Sequence, residues 1–140
     1  MSVEASLSIL SSVLSIAVSV KEWMTEKDVT AETAVAQLAD RGDNATREAL
    51  AQTDVRESVL ALMVISKDLL EQLEREAIAC EKKHIRARKA VDGHIDKQQA
   101  DIKAGQCMCG VLRDIKRYNG RQLPNSDQIK RFWSSYDCED

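Results

Sequence analysis

Proline occurs once in the 140 residues, at Pro124, and glycine only five times. So few backbone breakers leave little material for the many tight turns of a β-sandwich or barrel. No segment alternates polar and apolar residues long enough to read as a strand, no glycine-rich phosphate loop is present, and no segment repeats. An excess of charge of one sign is also missing. Lys and Arg number 20 against 23 Asp and Glu, a net charge of −3, which disfavours a dedicated nucleic-acid binder. Aromatic residues amount to 4% of the chain.

A basic signal segment is lacking as well. The uncharged run ASLSILSSVLSIAVSV at positions 5–20 is preceded by Glu4 and followed by Lys21, which reads against a cleavable signal peptide. The expected setting is therefore the cytoplasm, with reduced thiols. The same run is shorter than the roughly 20 apolar residues needed to span a bilayer.

What remains is material for helices. Apolar residues make up 44% and charged residues 31%, as in a globular domain, and the length suits one domain over residues 1–140. The spacing predicts an all-α, single-domain bundle of about five helices, built on a long amphipathic helix and closed by a C-terminal helical hairpin. The first helix covers 3–24: Val3, Leu7, Leu10, Leu14 and Ala17 recur at helical steps, widened by Val13, Ile16, Val20 and Trp23. Ser8, Ser12, Ser15 and Ser19 form a second stripe, small enough to let another helix approach closely. Three uses compete for this helix: a core element, a self-association surface, or a membrane-inserting segment. Residues 3–24 loosely resemble the N-termini of four-helical cell-death domains that insert into membranes, and the likeness extends no further.

A short helix is expected over 31–41, capped by Asp28 or Thr30 and closed by Gly42. A long helix follows over about 45–91. Val55, Val59, Leu62, Ser66, Leu69, Leu73, Ala77, Cys80, His84, Ala87 and Val91 keep one face through alternating steps of three and four. Its possible break is Asp92-Gly93. A helical hairpin is expected over 106–137, in two arms joined by the Gly120 to Asn125 loop, with Ser126 capping the second. The tripeptide Arg41-Gly42-Asp43 and the sequon Asn44-Ala45-Thr46 read as chance matches in a chain expected to stay inside the cell.

The chemistry-bearing residues are few. Cys80 and His84 stand at i, i+4 on one helix face, and Cys107 and Cys109 flank Met108. Cys138 follows the hairpin, whose return should bring it beside Cys107 and Cys109. A reversal at Asp92-Gly93 would also bring Cys80 and His84 towards Cys107. Together Cys80, His84, Cys107, Cys109 and Cys138 are five candidate ligands for zinc, although their spacing matches no standard zinc pattern. A disulfide from Cys138 to Cys107 or Cys109 is a second reading. The preferred reading is four free, buried thiols packing as small hydrophobes. His84 is expected to be half-buried and hydrogen-bonded, and His94 exposed.

No third group that could orient a Cys80–His84 pair is visible, and no oxyanion-forming turn. The chain is therefore expected not to be an enzyme and to need no cofactor. The basic stretches at 82–89 (KKHIRARK) and at Arg113, Lys116, Arg117 and Arg121 read as solvated faces. The expected job is non-catalytic binding of another protein, as an adaptor, inhibitor, chaperone or immunity-type protein. Trp23, Phe132, Trp133 and Tyr136 are the candidate anchors. A homo-oligomer is a possible form. The alternatives are a membrane-acting bundle that releases its N-terminal helix, and a metal-stabilised module.

Overall fold

The computed structural model describes residues 2–139. Among them every regular element is helical: α1 (Val3–Lys27), α2 (Ala31–Arg41), α3 (Asn44–Leu50), α4 (Thr53–Ala61), α5 (Lys67–Lys89), α6 (His94–Tyr118) and α7 (Asp127–Ser135), with a 3-10 turn over Leu62–Val64.

The all-α class and the helices at 3–24 and 31–41 match the sequence pattern. Ser2 accepts from the backbone N–H of Ala5 to cap α1, and Asp28, in a left-handed conformation at φ 54°, ends it. Thr30 caps α2 through the N–H of Thr33. The single long helix expected over 45–91 is instead three helices and a turn. The periodicity of three and four runs straight through both breaks, so the pattern alone hides them. Gln52 is extended and interrupts the first. At the second, Ile65 is extended and Ser66 accepts from Leu69 N–H, so a β-branched residue and an N-cap together restart the chain as α5.

The break at Asp92-Gly93 is real: α5 ends at Lys89 and α6 begins at His94. The helix expected from 106 therefore starts twelve residues sooner, and α5 and α6 form an antiparallel hairpin. The expected hairpin over 106–137 differs too. Gly120 and Arg121 are consecutive left-handed residues, at φ 68° and 66°, and they turn the chain so that α7 docks on α4. That contact is buried and polar. Ser58 Oγ lies 2.7 Å from Ser126 Oγ and donates to Gln128 Oε1 at 3.0 Å. All three residues are buried.

The hydrophobic helix α1 lies antiparallel to α5. Lys67 pairs with Glu22 at 3.5 Å, and Lys21 donates to the Met63 carbonyl at 2.7 Å. Leu7, Leu10, Leu14, Ala17 and Val20 of α1 are fully buried, as are Leu70, Leu73 and Ala77 of α5 and Met108, Leu112 and Ile115 of α6. Burying each large aliphatic side chain contributes on the order of 1.5–3 kcal/mol, so this three-helix seam is the centre of stability. α1 is long and apolar enough to cross a membrane, but here its apolar face is core. The serine stripe is not a seam: Ser8, Ser12 and Ser19 are exposed and Ser15 is half-buried, and Ser8, Ser12 and Ser15 line a shallow groove with Asp43, Thr46 and Glu81.

Because α5 runs antiparallel to α1, its last turn reaches past the start of α1. Together with the first turns of α6 it makes a hairpin tip. Between Arg86 and Gln99 no residue is buried. This overhanging tip, and the cleft at its base, are what the fold sets apart from the core.

Candidate functional site at the base of the α5–α6 hairpin

Two disulfides tie the ends of the bundle. Cys80 of α5 is bonded to Cys107 of α6, with a Cα–Cα separation of 5.8 Å. Cys109 of α6 is bonded to Cys138, just past α7, at 5.2 Å. No cysteine is free. This corrects the reading of four free thiols. Its cause is the reversal at Asp92-Gly93, which sets 80 opposite 107, while the return of the C-terminus sets 138 opposite 109. Of the two Cys138 pairings considered from sequence, Cys109 is the one formed. Of the five zinc-ligand candidates, Cys80, Cys107, Cys109 and Cys138 bond to one another here, and His84 bonds to a carboxylate. Among the described residues no group of three or more His, Cys, Asp or Glu is placed to hold a metal.

The two disulfides differ in access. Cys109 and Cys138 are both buried. Cys80 is buried but Cys107 is half-exposed, and their bond borders a cleft of about 330 Å³ between α5 and α6. Cys80, Lys83, His84 and Ala87 form one wall; Ala100, Lys103, Ala104 and Cys107 form the other. Small alanines on both helices leave the space open.

His84 is the polar centre of this cleft. Its side chain is 1% exposed. Nε2 lies 2.7 Å from Asp101 Oδ1, and Arg88 donates to both oxygens of Asp101, at 2.8 and 2.7 Å. Burial by itself would push the Asp101 carboxyl up. The hydrogen bonds from His84 and Arg88, and the Arg88 charge, outweigh it and hold the carboxyl below the usual aspartate value. An ionised Asp101 can only accept, so Nε2 carries the proton. Whenever the ring is neutral, Nδ1 is then the nitrogen that keeps the lone pair. Nδ1 is buried and has no hydrogen-bond partner.

The sequence suggested a bonded, half-buried His84 and found no group to orient it. The structure supplies that group from seventeen residues away: Asp101 reaches His84 only because the chain reverses. The i, i+4, i+8 spacing of Cys80, His84 and Arg88 was a signal of a shared face, but nothing local points to Asp101. The basic stretch also gains a shape. Residues 82–103 hold seven Lys and Arg against three Asp in a chain that is net −3, and they form the tip and the walls of the cleft. Ile95 and Ile102, one heptad apart on α6, are exposed there, at 71% and 60%.

The aromatic candidates lie elsewhere and face the bundle. Phe132 is buried. Trp23 is half-buried and donates from Nε1 to Gln37 Oε1 at 2.6 Å. Trp133 is half-buried under the Lys116 ammonium, 5.0 Å from the ring centre. Tyr136 donates to Ser6 Oγ at 2.9 Å and packs over Gly105. His94 is exposed and lies near Gln98. No protein-family model, characterised protein or solved structure matches this chain.

Proposed function

We propose that the chain is a non-catalytic protein-binding module that engages its partner through the α5–α6 hairpin tip. One observation carries this reading: two isoleucines are exposed one heptad apart, in a stretch with a local excess of positive charge in an otherwise acidic chain. Such a helix face suits a groove with an apolar floor and an acidic rim, where the isoleucines anchor and the charges steer. The aromatic residues that sequence suggested as anchors support the module's own core, so the tip is the better candidate. The adaptor, inhibitor, chaperone and immunity-type roles all fit this description.

The test is capture by the full chain from its source cells, compared with the I95D/I102D variant. A specific partner is expected on the wild type, weakened by salt, lost with I95D/I102D and kept with V64D, which alters an exposed apolar residue away from the tip. Equal recovery by wild type and I95D/I102D would sink the reading. Self-association of the wild type, broken by I95D/I102D, would make the partner a second copy instead.

The location is open to the same kind of test. The sequence favoured the cytoplasm, whereas paired thiols persist in oxidising compartments. We take the two disulfides as support for an oxidising setting. Alkylation of intact cells before lysis should find all four cysteines blocked; ready labelling of all four would return the chain to the reducing cytosol.

A further inference from the structure

We propose that the Cys80–Cys107 disulfide is a thiol-exchange site served by His84, while Cys109–Cys138 is structural. Four observations converge. Cys107 of the first pair is only partly buried, whereas both residues of the second are buried. The first pair borders a cleft large enough for part of a small thiol. The same cleft is lined by His84, whose Nδ1 has no partner and whose Nε2 is fixed by Asp101. Lys83 and Lys103 also line it, and cationic groups lower a thiol's pKa.

The chemistry follows from these placements. The co-reactant is a low-molecular-weight thiol of the glutathione class. Its proton passes to His84 Nδ1. Its thiolate attacks Cys107 Sγ, a new S–S bond forms to Cys107, and the Cys80–Cys107 bond breaks. The electron pair leaves on Cys80 Sγ, as a thiolate beside the His84 imidazolium and the two lysines. A second small thiol, deprotonated in solution, then attacks the bound thiol's sulfur; its bond to Cys107 breaks, the electron pair leaves on Cys107 Sγ, and the two protons given up by the small thiols end on Cys80 and Cys107. The net change is two thiols oxidised to a small disulfide and one protein disulfide reduced to a dithiol. Burial makes Cys80 the leaving sulfur and Cys107 the attacked one. The roles place Asp101 as the positioning residue: it sets the ring so that the lone pair, not the N–H, faces away from the carboxylate. This proposal stands independently of what the hairpin tip binds.

The test uses the full oxidised chain in glutathione buffers of graded reducing strength. Alkylation with peptide mapping reads each pair, and circular dichroism reads the fold. Cys80–Cys107 is expected to open in buffers roughly tenfold less reducing than those that open Cys109–Cys138, a difference of about 30 mV. The helical signal should be retained, and any glutathione adduct should sit on Cys107. If Cys109–Cys138 opens first, or both open together with loss of helicity, the assignment fails. The role of His84 is read separately, as the alkylation rate of Cys80 in the selectively reduced chain. H84Q should lower that rate several-fold at neutral pH, since the thiolate fraction sets reactivity. D101N, which keeps the ring and an acceptor oxygen but removes the carboxylate charge, should lower it less. Rates equal to wild type in both variants would overturn the role of His84.

Discussion

At the scale of single residues, several side chains have surroundings that sequence neighbours do not announce. Glu76 on α5 is one. Burial pushes its carboxyl above the ordinary 4.5, and Asp114, facing it from α6, pushes it the same way. A carboxyl raised in the folded state binds its proton more tightly there, so its contribution to stability falls as pH rises above 4.5. E76Q should therefore melt higher than wild type at pH 7, by roughly 1–3 °C. The gap should shrink as the pH is lowered towards 4.5, because the wild type then carries the proton itself. A gap that widens on acidification would refute the contact's repulsive character. Gly110 is a second case. It sits inside α6, and a methyl added there meets nothing within 4 Å. Gly in a helix interior costs roughly 0.5–1 kcal/mol relative to Ala, so G110A should raise the stability measured in urea by about that amount. The sequence placed the glycine of QCMCG near the start of an expected helix but could not show that it lies mid-helix in open space.

At the scale of elements, the helices were legible wherever a cap coincided with a change in pattern. Ser2, Thr30, Ser66 and Ser126 all cap helices, and three of the four resulting starts were expected. Ser66 was read as part of a continuous stripe because it falls on the apolar face of the series through Leu62 and Leu69. Local pattern and capping chemistry conflict there, and the extended Ile65 shows that capping prevailed. The α4–α7 contact was not legible at all. Ser58 reads as a helix-interior serine, yet its hydroxyl joins Ser126 and Gln128 in a buried network. S58A would remove the hydroxyl that links Ser126, Gln128 and the Asp54 carbonyl, and leave the buried Ser126 and Gln128 each with one partner fewer. It should destabilise by about 1–3 kcal/mol, visible as a lower urea midpoint with an unchanged slope. A loss no larger than that of an exposed serine such as Ser19 changed to Ala would show the network to be unimportant.

At the scale of the whole molecule, the seam of α1, α5 and α6 buries the apolar face of the N-terminal helix. Leu14 is fully buried. L14A should cost about 2–5 kcal/mol, and the oxidised full chain should not bind neutral or anionic vesicles. Vesicle binding by the intact chain, with retention of the α1–α5 contact, would restore the membrane reading. The buried disulfide closes a long loop, over a sequence separation of 29. C109S/C138S should lower unfolding stability by about 3–4 kcal/mol, on the loop-closure argument, as measured by denaturant titration at fixed redox potential.

The sequence alone determined the helical class, the apolar faces and most of the helix starts. Each of these is a local matter of periodicity, breakers and caps, read within a few residues. Tertiary structure alone decided which cysteines pair, that Asp101 holds His84, that Arg86 to Gln99 overhang the core, and that α7 crosses to α4. Those depend on where the chain reverses and at what angle it returns. Asp92-Gly93 and Gly120-Arg121 set these reversals, and the packing of distant helices gives them their direction.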